Sequence, residues 1–397
     1  MVVENVTLPS GERKDIHVQN GVISFDIPTD KNQKRYDAKG AWLLPKIVDL
    51  NVRLCDGILS AKTINKVAKQ AKQGGVGTLV LQPDSTPSVD DEVVLEYTQN
   101  SIKTNCDVTI EVAINTLKED LSLSNIAILL KKGGVVPFMS TIAKNNIAMR
   151  IAEYAKMYKT TLFVKAEDNS LISQGVMFEG DVSSKLGLAG IPELSEVVHV
   201  SRMIEIAKYY GISILFKAIA SPRSLAMIQK AKKEGVDVKA EVSLLHLLFS
   251  DKACEGFNTL AKIDPPLVEE SMRCGLVEAL KEGRVDTLTL LHQPNSPVNK
   301  EVAFFDAGYG SGSLGYGYAL YYTKLVQSGI LSMEELVELV VYNPKGILKQ
   351  EFSRTIQGAR SSGFILLDTT KEHTIQEPCS LYNGEKIYAE AVELESL

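Results

Sequence analysis

The side chains that could do chemistry gather in and just after one short run, Asp49-Leu50-Asn51-Val52-Arg53-Leu54-Cys55-Asp56-Gly57. Residues 47–54 alternate in character. Ile47, Asp49, Asn51 and Arg53 fall on one side of an extended strand, and Val48, Leu50, Val52 and Leu54 on the other. The approach, Leu44-Pro45-Lys46, is largely apolar. The strand is therefore expected to start buried and to present a carboxamide and a guanidinium at its C-terminal end. Arg53, Lys165 and Lys217 could together bind a phosphate or carboxylate, or could pair internally with acids such as Asp49 and Asp84. Cys55, close to cationic Arg53, has the charge setting of a thiolate nucleophile; the plainer reading is an inert small side chain. His246 and His292 each follow a strand and are read as structural histidines, with a residual site role as the alternative. His17, His199 and His373 fall outside the candidate site. The glycines between 308 and 317 suit a flexible loop, since the GxxxxGK[ST] order of a phosphate loop is missing.

Such residues need a scaffold that brings strand ends together. From 46 to about 345 the pattern is strand then helix, repeated. Strands start at 47, 78, 108, 134, 161, 213, 238 and 285, and helical patterns cover 60–73, 121–132, 145–159, 192–210 and 221–234 among others. Eight alternating units predict an α/β fold of the (β/α)8 TIM-barrel type, and the count favours it over a doubly wound open sheet. Catalytic residues of such barrels sit at the C-terminal ends of the strands. Both ends of the chain are instead rich in short strands: 2–8 and 16–27 at one end, 363–368, 380–382 and 386–392 at the other, with 31–36 as a polar loop. The expected organisation is a small β-sandwich built from 1–45 and 346–397, flanking a barrel over 46–345.

Composition narrows the partners. A net charge of −6 argues against a nucleic-acid surface. Cys55, Cys106, Cys254, Cys274 and Cys379 are odd in number and never in CxxC spacing, which offers neither a disulfide framework nor a zinc motif and suits a reducing cytoplasm. No apolar run approaches the ~18–20 residues of a membrane span. The first residues, Met1-Val2-Val3-Glu4-Asn5, lack the blocks of a signal peptide.

A β module split across both termini with a barrel between is the layout of the amidohydrolase superfamily, and the chain resembles a class I dihydroorotase. The resemblance lies in Asp37-Ala38-Lys39-Gly40 through Asp49-Leu50, in residues 75–87 (GVGTLVLQPDSTP), and in residues 180–188 (GDVSSKLGL). It continues in Glu241-Val242 with His246-Leu247-Leu248-Phe249, in residues 261–267 (AKIDPPL) and in Asn343-Pro344. Order and spacing together make it specific. It implies an enzyme that interconverts carbamoyl-aspartate and dihydroorotate, using one or two divalent metals to polarise the carbonyl and activate a water.

The same resemblance allows the metal ligands to be checked one by one. The family's Asp-x-His-x-His reads Asp49-Leu50-Asn51-Val52-Arg53 here, so Asn51 and Arg53 replace both histidines. The carboxylate after the fourth strand aligns with Met139, the histidine after the fifth with Lys165, and the histidine after the sixth with Ala218, beside Lys217. The aspartate after the eighth strand, which doubles as proton shuttle, aligns with Leu291. Substrate positions change too. Leu-Arg-Asp-Pro-Gly becomes Leu54-Cys55-Asp56-Gly57, two asparagines become Asp84 and Asp264, and Ala-Pro-His becomes Gln293-Pro294-Asn295. A guanidinium cannot coordinate a cation. What the resemblance implies is thus an inactive homologue with no catalytic residue, no metal ligand and no zinc. Inactive paralogues of this family assemble with aspartate carbamoyltransferase, so a homo- or hetero-oligomer with that partner is expected, with no nucleic acid and no membrane. The alternative is a hydrolase or small-anion binder using an altered, metal-free site lined by Arg53, Lys165, Asp84 and Cys55.

Overall fold

The fold is taken from a computed structural model, which describes every residue except 29–32, 104–107 and 142. Cys106 and the start of the expected polar loop lie outside the described residues.

Eight parallel strands form the barrel: β1 (Ile47–Val52), β2 (Val76–Leu81), β3 (Thr109–Val112, resuming at Ile114–Asn115), β4 (Pro137–Met139), β5 (Leu162–Lys165), β6 (Ile214–Lys217), β7 (Val238–Ser243) and β8 (Thr287–Thr289). Each pairs with the next, with Asp49 opposite Leu79 and Lys165 opposite Lys217. The last closure, β8 onto β1, is thin. It rests on a bridge between Val52 and His292, with Arg53 N donating to His292 O at 2.8 Å. Asp49 reinforces that seam. Its carboxylate accepts from Thr289 Oγ1 at 2.7 Å, Leu290 N at 2.9 Å and Asn51 N at 2.9 Å. Backbone ladder bonds are scarce there, and a buried carboxylate supplies replacements.

The simple alternation expected for residues 47–54 does not hold. The register of β1 against β2 shifts between Asp49 and Val52. Val48 and Leu50 share a face as expected and join Val80, Ala113, Phe138, Phe163 and Leu215 in the packed barrel interior. Asn51 also reaches inward, while Val52 packs with the outer core. A bulge of this kind re-aims side chains at a barrel rim.

The helices cover the strands because their apolar residues recur at helical spacing. Ala61–Gln73 buries Ile64, Val67, Ala68 and Ala71 and is capped by the Ser60 hydroxyl, which accepts from Thr63 N. Gly74 ends it where the chain after β8 passes. A Cβ on Gly74 would lie 1.9 Å from Leu314 O, so only glycine allows that approach.

The two termini meet in one seven-stranded sheet. Its order is Glu390–Glu393, Phe364–Asp368, Trp42–Pro45, Val2–Thr7, Arg13–Gln19 and Val22–Ser24, with Arg35–Asp37 also on Val2–Thr7. Leu366 from the C-terminal end sits opposite Leu43. The sheet encloses its own core of Val3, Val6, Ile16, Ile23, Leu43 and Phe364. Two expectations change here. The end of the expected polar loop, Arg35 and Tyr36, belongs to the strand Arg35–Asp37, and residues 380–382 form a turn. The Ser380 hydroxyl meets Ser311 Oγ and Gly312 O, so this segment clamps the loop after β8. Among the described residues, no helix is long and apolar enough to cross a membrane.

Candidate functional site

The C-terminal ends of β1, β2, β6 and β7 bring five side chains into one hydrogen-bonded row. Arg53 grips the Asp84 carboxylate through Nε and Nη2 at 2.9 and 2.8 Å. Its Nη1 donates to Asn51 Oδ1 at 2.9 Å, and Asn51 Nδ2 donates to Glu241 Oε1 at 2.8 Å. Glu241 Oε2 accepts from Lys217 Nζ at 2.6 Å. Lys217 also donates to Leu50 O at 2.8 Å and stands 4.6 Å over the Phe163 ring. Ala218 N completes the row with a 3.2 Å bond to Glu241 Oε1. The Lys217 and Glu241 side chains are 3% and 0% exposed.

A second cluster flanks the first. Lys165 Nζ lies 2.8 Å from Asp264 Oδ2 and 3.1 Å from Glu167 Oε1. Burial opposes the charge on Lys165, but Asp264 and Glu167 outweigh it and hold the ammonium above its ordinary range. Burial likewise opposes the charge on Asp264, yet Lys165 and Arg53 keep that carboxyl below its usual range. Glu167 moves the other way, pushed up by burial despite Lys165. The shorter contact and the depressed acid make Lys165–Asp264 the ion pair, with Glu167 as its neighbour. Arg53 is also held above its ordinary range: burial is the larger influence and opposes the charge, but the acids around it, Asp84 first, together prevail. Each of the three cations thus has a carboxylate partner, as internal pairing requires.

Asp49, buried at the seam, is pushed up to about 6 by desolvation, even though three hydrogen bonds favour its charged form. Met139 is buried at the end of β4. Ala218 and Leu291, just after β6 and β8, hold φ angles of +47° and +50°. Left-handed backbone costs a non-glycine residue about 1–2 kcal/mol. Only their backbone is used polarly here, Ala218 N toward Glu241 and Leu291 N toward Thr289 Oγ1. Asn295 lies apart from the row. Its Nδ2 donates to Tyr309 O at 2.8 Å and braces a loop.

The donor set does not fit a divalent metal centre. The positions compared above hold a carboxamide, a guanidinium, an ammonium, a thioether and two alkyl groups. Among the described residues, no group of three His, Cys, Asp or Glu side chains could hold a metal ion. Imidazole and carboxylate ligands are what such a site requires.

His246 and His292 are both fully buried, in surroundings that disfavour a charged imidazole. Two backbone carbonyls, Pro265 O and Pro266 O, face His246 Nε2 at 3.2 Å, so that nitrogen bears the proton and Nδ1 accepts from Ser243 Oγ. His292 Nδ1 accepts from Ser313 N and Leu314 N. Burial pushes them down to about 4 and about 3. Cys55 is no thiolate either. Burial and then Asp56, whose Oδ2 is 3.7 Å from Sγ, push the thiol up. Iodoacetamide at pH 7.5 is therefore expected to alkylate Cys55 more slowly than exposed Cys274. Peptide mass spectrometry over a time course checks this, and faster labelling of Cys55 would revive the nucleophile.

Sequence reasoning missed Glu241 as the centre of the row. The available signal was a lone acid inside the strand Val238–Ser243, since a fully buried carboxylate demands a partner.

Three comparisons place this geometry. A family profile described as "Dihydro-orotase-like" matches residues 40–223. The chain is 33% identical over 366 residues to a dihydroorotase of Elusimicrobium minutum, spanning 90% of this chain and 84% of that protein. It is 30% identical over 374 residues to a dihydroorotase of Caldanaerobacter subterraneus subsp. tengcongensis, spanning 92% and 86%. Among solved structures, the L-hydantoinase (dihydropyrimidinase) from Arthrobacter aurescens superposes with a TM-score of 0.84 at 20% identity, over 98% of this chain and 93% of that one. A D-hydantoinase from Thermus sp. gives 0.79 at 17% identity, over 98% and 92%. At these identities the likeness to the solved structures is one of fold, the amidohydrolase barrel.

Proposed function

The chain belongs to the dihydroorotase-like family, and from that premise, together with the ion-paired mouth of its barrel, we propose that it is a non-catalytic member. Its role is that of a structural or regulatory subunit in pyrimidine biosynthesis, assembling with aspartate carbamoyltransferase in the cytoplasm and carrying no zinc. One observation supports this above the others. In the row Asp84–Arg53–Asn51–Glu241–Lys217, Asn51 and Arg53 stand at the two first-strand positions where the resemblance implies metal-binding histidines, and both are engaged by their neighbours in the row. Opening or closing a cyclic amide requires a polarised carbonyl and an activated water. Arg53 and Lys217 repel a divalent cation, and Leu291 has no group to take a proton at the base position. What remains useful is the folded body of the enzyme.

The anion-binding alternative is weaker on the same geometry. Arg53 and Lys165 are already bound to Asp84 and Asp264, so an anion would have to displace a carboxylate at 2.8 Å. The test is to co-express this chain with the aspartate carbamoyltransferase of its own organism and purify through a tag on either one. A stoichiometric complex is expected. Stoichiometric zinc together with dihydroorotate turnover by the pure chain would overturn the reading.

A further inference from the structure

Two loops at the barrel mouth are knitted together in an unusual way. One is the segment between β7 and β8 that holds Asp251–Phe257 and Thr259–Ala261; the other follows β8 and holds Pro297–Lys300. Buried Lys262 donates to Phe304 O at 2.9 Å and Phe305 O at 2.6 Å. Buried Lys300 donates to Thr259 O, Lys262 O and Gly308 O at 2.9, 3.2 and 2.8 Å. Thr259 Oγ1 answers with a 2.7 Å bond to Lys300 O. Among the described residues neither ammonium has a carboxylate within ion-pair distance. Burial lowers both, Lys300 to about 8 with neighbouring Lys262 adding to the shift. Lys262 also stands 4.6 Å over the Tyr309 ring and 5.8 Å over the Phe304 ring. Burying two ammoniums without a carboxylate partner is costly. What the arrangement achieves is a rigid pair of loops.

Those loops hold apolar side chains out to solvent. Val298 is 81% exposed, Phe305 55%, Phe257 51% and Val302 43%. Phe257 is held there at φ +61°, a left-handed conformation that is rare for a bulky residue. Exposed apolar clusters on rigid loops mark interaction sites, and preorganisation lowers the entropic cost of docking. Exposed Glu255, Glu301 and Asp306 lie on the same two loops, against a single exposed cation there, Lys252. A second copy docked face to face would bring one acid-rich rim against another, so the charge favours a different protein.

We propose that this acid-rimmed apolar platform is the surface on which the carbamoyltransferase partner docks, and that the partner meets it with an apolar patch bordered by lysine or arginine. The proposal rests on the assembly read above, and its failure can be told apart from failure of that assembly. The experiment measures complex formation by sedimentation velocity with the full chain and with purified aspartate carbamoyltransferase. It compares wild type, Val298→Asp/Phe305→Asp, Glu301→Lys/Asp306→Lys, and a control, Val93→Asp on the helix Glu92–Lys103. The Tm of each variant alone establishes that it folds. The apolar double variant is expected to weaken binding at least about 100-fold. The charge-reversal pair, which touches only exposed side chains, is expected to weaken it about 10-fold and to flatten the salt dependence. The control is expected to bind as wild type does. If wild type assembles and both double variants assemble equally well, the platform is wrong and the assembly stands. If wild type fails to assemble, both are overturned. If the platform variants instead turn a wild-type self-dimer into monomers, the occupant is a second copy and the proposal fails.

Discussion

Replacing Lys217 by methionine is expected to lower folding stability by about 3–5 kcal/mol, the usual cost of removing one member of a buried ion pair. The reason is geometric. Glu241 is fully buried, and its Oε2 meets the ammonium at 2.6 Å. Without Lys217 that oxygen keeps no comparable partner, and Leu50 O loses a donor as well. Methionine nearly matches the volume of the lysine stem, so little of the effect comes from a cavity. Adding Glu241→Gln should recover about 2 kcal/mol, because the amide keeps an acceptor for Asn51 Nδ2 and Ala218 N while the buried charge disappears. Urea unfolding of the wild type, both singles and the double gives the coupling directly. A Lys217→Met variant as stable as wild type would mean that the row contributes nothing to the fold.

The second large effect concerns metal. Protein grown with excess zinc is expected to retain well under one zinc per chain after desalting, and EDTA is expected to leave its Tm unchanged. Elemental analysis and calorimetry measure the two. Restoring both first-strand histidines, Asn51→His with Arg53→His, is expected to rescue neither zinc binding nor turnover. Met139, Lys165, Ala218 and Leu291 still withhold the remaining ligands and the base. The double variant is also expected to be less stable than wild type, since Asp84 loses its bidentate partner and Glu241 loses the Asn51 amide. Asp84 is partly exposed, so water replaces much of the first loss, which should be smaller than that from Lys217→Met. Tight zinc uptake by wild type would contradict this.

The barrel was legible because its signal is local and repeated. Strand starts at 47 and 238 are read to the residue, and the others within three. A helix expected over 121–132 is confined to Ile126–Lys131, because Asp120 Oδ1 captures Ser122 N in a turn that competes with helix. The kinds of side chain at Asn51, Arg53, Met139, Lys165, Ala218 and Leu291 were legible one at a time, because a residue type alone says whether a side chain can ligate a cation.

What sequence by itself determined is therefore the alternating scaffold and the chemical kinds of group at its strand ends: guanidinium, ammonium, carboxamide, thioether and alkyl. Tertiary structure alone decided which of them meet. Asn51 and Glu241 stand 190 residues apart, and Lys165 and Asp264 stand 99 apart. Hydrogen bonds reach about 3 Å, and a buried charge is tolerated only with a partner at that range. Sequence separation holds no information about such distances. A one-residue shift in β1 and the closure of β8 onto β1 were needed to bring Asn51 to Glu241 and Asp49 to the seam.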